Sequence, residues 1–151
     1  MYRNFQGYST HSGCDLVALG ATSIGMIGNS YSQNLRTLPE YMARVDAGHI
    51  PVFRGVELDD DDRLRRDVIT QLICNLTLNI PRIESRYGID FHGYFGRELE
   101  DLLGFEKDGL IERVANDIRV HPAGRLLIRN ICMVFDRYLR DDSTKSFSKV
   151  I

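Results

Sequence analysis

Gly109-Leu110-Ile111-Glu112-Arg113-Val114-Ala115-Asn116-Asp117-Ile118-Arg119-Val120 reads as a two-stranded hairpin. Gly109 turns the chain into Leu110–Val114, and Asn116-Asp117 returns it through Ile118–Val120. The sequence on either side is helical. Asp59–Leu78 opens with four acids, where a helix dipole favours negative charge, and Leu64, Val68, Leu72, Ile73 and Leu76 continue as one apolar stripe. A calcium-loop reading of that acid run fails, because the sixth position, which needs glycine, holds Leu64 or Arg65. Pro81–Tyr87 makes a short helix closed by Gly88, and Phe91–Phe105 follows with Phe91, Phe95, Leu99, Leu102 and Leu103 facing inward. Beyond the hairpin, His121-Pro122 opens a last helix whose stripe, Leu127, Ile131, Val134, Phe135 and Tyr138, runs to about Arg140.

Helix, short helix, helix, hairpin, helix is the order of a winged-helix module. Residues 59–141 are therefore expected to form a winged-helix-like helical domain with a small β component, and residues 142–151 a tail that packs only at its end. That order raises DNA reading as a function. The helix that would enter the groove, Phe91–Phe105, carries Glu98, Glu100 and Asp101 against Arg97 on its non-core face, which a phosphate backbone would repel. A nucleic-acid partner is disfavoured on that ground, and a winged helix used for protein packing fits better.

The N-terminal part has another texture. Residues 3–15 are rich in Gly, Ser, Thr, Asn and aromatics, as a loop would be. Leu16-Val17-Ala18-Leu19, entered by Asp15 and closed by Gly20, reads as a short buried parallel strand of the kind found in α/β barrels. The following loop, Ala21–Gly28, has its glycines at 20, 25 and 28, which matches neither a dinucleotide fingerprint nor a phosphate loop. Ser30–Thr37 is a polar connector. Pro39–Asp46 is a short helix, with Thr37 as N-cap, Glu40 at the capping-box spacing and Gly48 after its end. Val52–Leu58 alternates as a short strand. The division is 1–32, 33–58, 59–141 and 142–151, in a chain that is mostly α with a small β component (α+β).

Composition is ordinary for a globular protein: 43% hydrophobic, 26% charged, net charge -2. No global field would hold nucleic acid, no apolar run reaches the length of a membrane span, and no signal peptide stands at the N-terminus, so a cytoplasmic, soluble protein is expected. Arginine outnumbers lysine 16 to 3. Its planar fork grips carboxylates, so the bias means either surface pairing with the 21 acids or a polycarboxylate ligand. Cys14, Cys74 and Cys132 lie too far apart for a disulfide framework or a zinc site. Cys74 and Cys132 read as buried thiols.

Three separated stretches resemble a known family. Arg3-Asn4-Phe5-Gln6-Gly7-Tyr8-Ser9-Thr10-His11 with Asp15–Gly20 is similar to the C-terminal third of the oxygen-independent coproporphyrinogen III oxidases, or coproporphyrinogen dehydrogenases, of the radical S-adenosylmethionine (SAM) family. Arg65-Arg66-Asp67-Val68-Ile69 with Leu72-Ile73-Cys74-Asn75, and Pro122–Met133, are further matches in the same order. The resemblance implies that the chain begins in the last strand and loop of a radical SAM partial (β/α) barrel and continues into the family's own C-terminal domain. It implies an oxidative decarboxylation that converts two propionates of coproporphyrinogen III to vinyls, giving protoporphyrinogen IX in heme synthesis. A SAM cofactor and a 4Fe–4S cluster serve the full-length enzyme. It implies that Phe5, Gln6 and Ile24 help hold a second SAM, Gln6 as the polar contact and Phe5 and Ile24 as packing walls. A related branch that handles heme itself shares much of this pattern.

The family's C-x3-C-x2-C cluster motif has no counterpart among Cys14, Cys74 and Cys132. No catalytic or metal-binding residue is therefore assigned, and the chain is expected to hold neither cofactor stably and to be inactive without the missing N-terminal barrel. An open barrel edge at Leu16–Leu19 is expected to drive self-association or local disorder. The alternatives are a stand-alone module that binds SAM, a porphyrin or a protein without catalysis, and the disfavoured nucleic-acid binder.

Overall fold

The computed structural model describes residues 2–4, 7–11 and 13–141. The chain divides into two compact units, Met1–Arg63 and Leu64–Ile151. Helices and strands are mixed throughout, with three antiparallel sheets among the described residues.

In the first unit, β1 (Tyr2–Asn4) pairs with β2 (Gly7–Ser9). A three-stranded sheet follows, β3 (Ile24–Ile27), β4 (Ser30–Asn34) and β5 (Val52–Glu57), with α1 (Leu38–Asp46) connecting the last two. β3 and β4 form a tight hairpin closed by the pair Ile27 and Ser30. Its turn needs Gly28, which sits at φ 56 and donates its N–H to Asp15 Oδ1 at 2.8 Å. Buried Asn34 clamps the preceding loop to the sheet, its Nδ2 donating to the carbonyls of Ala18 (3.2 Å) and Gly20 (3.0 Å).

Several expectations for this unit change, beginning with the loop expected over residues 3–15, which contains β2 and part of β1. Leu16–Leu19 is not a buried parallel strand. Only Leu16 pairs, by an antiparallel bridge to Met26, while Val17 and Leu19 are 66% and 82% exposed. Gly25 has no Cβ, which lets the Leu16 carbonyl and Ala18 pass close against β3, and Asn34 rather than strand pairing holds the Ala18 and Gly20 carbonyls. The expected loop Ala21–Gly28 and connector Ser30–Thr37 instead contain β3 and β4. The strand character of β4 comes from pairing rather than from an apolar run, since it reads Ser-Tyr-Ser-Gln-Asn.

The second unit is organised around α2 (Asp60–Asn75), which starts in the first unit and carries Leu64, Val68 and Leu72 into the core. α2 stops where Leu76 adopts φ 59, and the chain enters β6 (Thr77–Asn79). The expected helix to Leu78 is thus three residues too long and hides a strand. α3 (Ile80–Tyr87) begins on an Asn79 cap and ends on Gly88 in the left-handed conformation. The hairpin is present as β7 (Ile111–Val114) and β8 (Asp117–Val120), and β6 adds to β8 as a third strand. Phe91, Phe95, Leu102, Ile111, Ile118, Ile131 and Phe135 are almost fully buried around it.

Both long helices expected around the hairpin are broken. Phe91–Phe105 is α4 (Phe91–Tyr94), α5 (Gly96–Asp101) and α6 (Leu103–Lys107), and Gly93, Gly96 and Gly104 weaken helix propagation along this stretch. The last helix is a 3₁₀ turn (Ala123–Leu127), then α7 (Ile128–Met133) and α8 (Arg137–Asp141). Gly124 is pressed against the Leu110 carbonyl, where a Cβ would collide. The tail expectation for residues 142–151 lies outside the described residues.

Candidate functional site

Of the residues singled out by resemblance, Phe5 and Gln6 lie outside the described residues, and Ile24 starts β3. Register decides what stands beside it. Ile24 is opposite Gln33 on β4, and Gln33 is opposite Arg54 on β5. One pair further along, Met26 faces Tyr31, and Tyr31 faces Val56. Because strand side chains alternate, these two rows share one face. Ile24, Tyr31, Gln33, Arg54 and Val56, with Ser32 and Gly55, line a concavity of about 420 Å³. Arg54 Nε donates to Gln33 Oε1 at 3.0 Å, and Gln33 Nε2 donates to the Thr22 carbonyl at 3.3 Å. Chemically, the face offers an aliphatic floor with an amide and a guanidinium on one row. Tyr31, Gln33, Arg54 and Val56 escaped the sequence reading, although Tyr31/Gln33 and Val52/Arg54/Val56 alternate at the strand period.

Several arginines of the second unit are engaged in the fold. Arg65 Nη1 meets Glu98 Oε1 at 2.9 Å and the Phe135 carbonyl at 3.1 Å, beside the Phe95 ring. Glu98 is therefore not an exposed acid of a groove-facing helix; it is 5% exposed. Asp67 accepts from Arg86 (2.8 Å) and from Tyr87 (3.3 Å), and burial, reinforced by Asp67, pushes the Tyr87 phenol above its ordinary pKa. Arg113 Nη2 lies 2.7 Å from Glu106 Oε2, and hydrogen bonding from Arg113 holds that carboxyl below the usual range. Cys132 is buried, Cys74 half-buried and Cys14 exposed. Among the described residues no group of three His, Cys, Asp or Glu could hold a metal ion, and no helix is long and apolar enough to cross a membrane.

This arrangement of sheet and helices has known counterparts. Residues 58–127 match the HemN C-terminal domain. All of the chain aligns with the oxygen-independent coproporphyrinogen III oxidase of Pseudomonas aeruginosa, at 48% identity over 151 residues and 33% of that protein. The Escherichia coli K12 oxidase is 45% identical, again over the whole chain and 33% of the relative. The protein of the same name from Thermostichus vulcanus is 43% identical over 99% of the chain and 46% of its own length. A solved structure described as coproporphyrinogen III oxidase (HemN) from Escherichia coli, a radical SAM enzyme, superposes with a TM-score of 0.87 and 45% identity, covering 91% of this chain and 32% of that one. The chain is thus akin to the C-terminal part of the radical SAM oxidases. Its particular kinship is with the oxygen-independent coproporphyrinogen III oxidases, and it spans about a third of the length of most relatives it matches.

Proposed function

We propose that this chain acts as the C-terminal part of an oxygen-independent coproporphyrinogen III oxidase, walling and covering an active site whose chemistry belongs to the longer protein. The observation that carries the reading is the 48% identity to the Pseudomonas aeruginosa oxidase across all 151 residues. The reaction is the oxidative decarboxylation of coproporphyrinogen III to protoporphyrinogen IX in the cytoplasm. In this reading residues 1–32 are the end of the radical SAM barrel and residues 33–58 a connector. The second unit, with its three-stranded sheet β6-β8-β7 against short helices, is a winged-helix-like domain used for packing.

The residues present do not fit the iron–sulfur cluster, since no suitable group of three ligands occurs among the described residues, and the cluster is assigned to the N-terminal part. They do fit a SAM-sized ligand beside Ile24, where an aliphatic floor meets polar donors from Gln33 and Arg54. Phe5, Gln6 and Ile24 are proposed to hold such a second SAM. The chemistry that SAM supplies is a carbon radical able to abstract hydrogen from a propionate. The residues of this chain bind, orient and keep water from the reactants.

A chimera tests the reading. The C-terminal third of the Pseudomonas aeruginosa oxidase is replaced by this chain and reconstituted anaerobically with iron, sulfide and SAM. Turnover of coproporphyrinogen III is expected from the chimera and none from the chain alone. A chimera that folds and loads its cluster yet stays inactive overturns the reading, as does turnover by the isolated chain.

A further inference from the structure

The sheet face that carries Ile24 also carries a guanidinium held by a neutral partner. The Gln33 amide oxygen takes the Nε–H of Arg54 at 3.0 Å, and Gln33 is itself steadied by the Thr22 carbonyl. The terminal nitrogens of Arg54 have no protein acceptor among the described residues. Arg63, Arg65, Arg86, Arg113 and Arg119 differ, because each meets a carboxylate. Glu57, the acid of β5, occupies the opposite parity of the strand and belongs to the other face. A tethered fork of this kind is pre-organised for a planar anion, and its charge is not already neutralised. The concavity beside it, about 420 Å³ with Ile24 and Val56 in its lining, suits an apolar body attached to that anion.

We propose that Arg54 is a carboxylate-anchoring residue of this face, gripping the acid group of a ligand whose apolar part lies over Ile24 and Val56. The assignment rests on the oxidase reading, in which two molecules bring such a group: the tetrapyrrole through its propionates, and SAM through its amino-acid carboxylate. Arg54 positions the ligand and takes no part in bond breaking. Gln33 holds Arg54 in place.

The test has a binding arm and a kinetic arm. The chimera is titrated anaerobically with coproporphyrin III, with its tetramethyl ester and, separately, with SAM. Arg54→Gln is expected to weaken binding of one free acid by about tenfold or more, as loss of a charge-assisted pair implies, and to leave the ester unaffected. Arg54→Lys restores only part of the loss, because a point charge lacks the fork. In the chimera, Arg54→Gln raises KM for coproporphyrinogen if the anchored group is a propionate, or KM for SAM if it is the amino acid, with little change in kcat. The proposal is overturned if Arg54→Gln binds every probe as the parent does. It is also overturned if the parent prefers neither free acid over ester nor SAM over buffer. An active chimera whose KM values ignore Arg54→Gln removes the anchor and leaves the oxidase reading standing. Arg54-dependent carboxylate binding beside an inactive chimera does the reverse.

Discussion

The two units of this chain are built on different terms. In Leu64–Ile151, Phe91, Phe95 and Phe135 are sealed inside, with ring centroids 4.8 Å and 5.5 Å apart in successive pairs, and helices and sheet close over them. In Met1–Arg63, Met26 is the only large apolar side chain buried among the described residues. Leu19, Ile50, Leu38 and Phe53 stand 82%, 78%, 63% and 51% exposed, and every residue of β5 is exposed. That unit is held by backbone pairing and polar clamps such as Asn34. Single exposed apolar residues are common, and the second unit has them too in Leu126 and Leu103, but only the first combines them with so small a core among the described residues. One unit carries its own stability; the other presents a face.

The contrast can be broken by mutation, most directly in the aromatic core. Phe95→Ala should destabilise the second unit by about 3–5 kcal/mol, whereas Phe53→Ala should cost less than about 1 kcal/mol. Urea unfolding of the two variants compares them, and equal losses would erase the distinction. Next comes the ion pair of Arg65 and Glu98, whose side chains are 15% and 6% exposed. Arg65→Met strands a buried carboxylate and should cost about 3 kcal/mol, while the double variant with Glu98→Leu should recover most of that. A double variant no better than the single would show that packing on Phe95 and Phe135, not charge, is what Arg65 supplies. Gly124→Ala forces a methyl against the Leu110 carbonyl and should cost about 1–3 kcal/mol in the same assay.

The open face predicts behaviour rather than stability. Leu19→Ser with Ile50→Ser should lower the sedimentation coefficient at high protein concentration, with a stability change of less than about 0.5 kcal/mol. A parent chain that stays monomeric at every concentration would count against an exposed sticky surface. The smallest effect is electrostatic. Glu106 has a folded pKa lowered by Arg113, so its contribution is present above the ordinary carboxylate range and is lost as pH falls through the folded value. Glu106→Gln should therefore flatten the acid limb of a thermal-stability profile slightly and leave the neutral limb parallel to the parent.

How much of this could be read beforehand depends on what each residue answers to. Gly48 and Gly88 stop their helices where they stand in the sequence, because a left-handed residue is a local requirement. The 110–120 hairpin was legible for a similar reason, its turn signal lying between two short segments that each mix apolar and charged residues. β4 was not, since Ser-Tyr-Ser-Gln-Asn has no apolar stripe and becomes a strand only by pairing on both sides. β6 was concealed inside the end of a helical pattern, because Leu76 takes a backbone conformation that no leucine advertises. Glu98 was misplaced for a further reason: an acid on a helix reads as exposed until Arg65, 33 positions away, is seen to neutralise it.

The sequence by itself determined the likeness to the oxidases and the helix-rich second unit with its central hairpin, and by resemblance alone it singled out Ile24. Phe5 and Gln6 share that assignment by resemblance. Only the tertiary structure decided that Ile24, Gln33 and Arg54 form one row, with 21 positions between the last two. Helix stripes and turns are set by neighbours within a few residues. Strand register is set by hydrogen bonds between distant segments, and a slip of one residue would turn Arg54 to the opposite face.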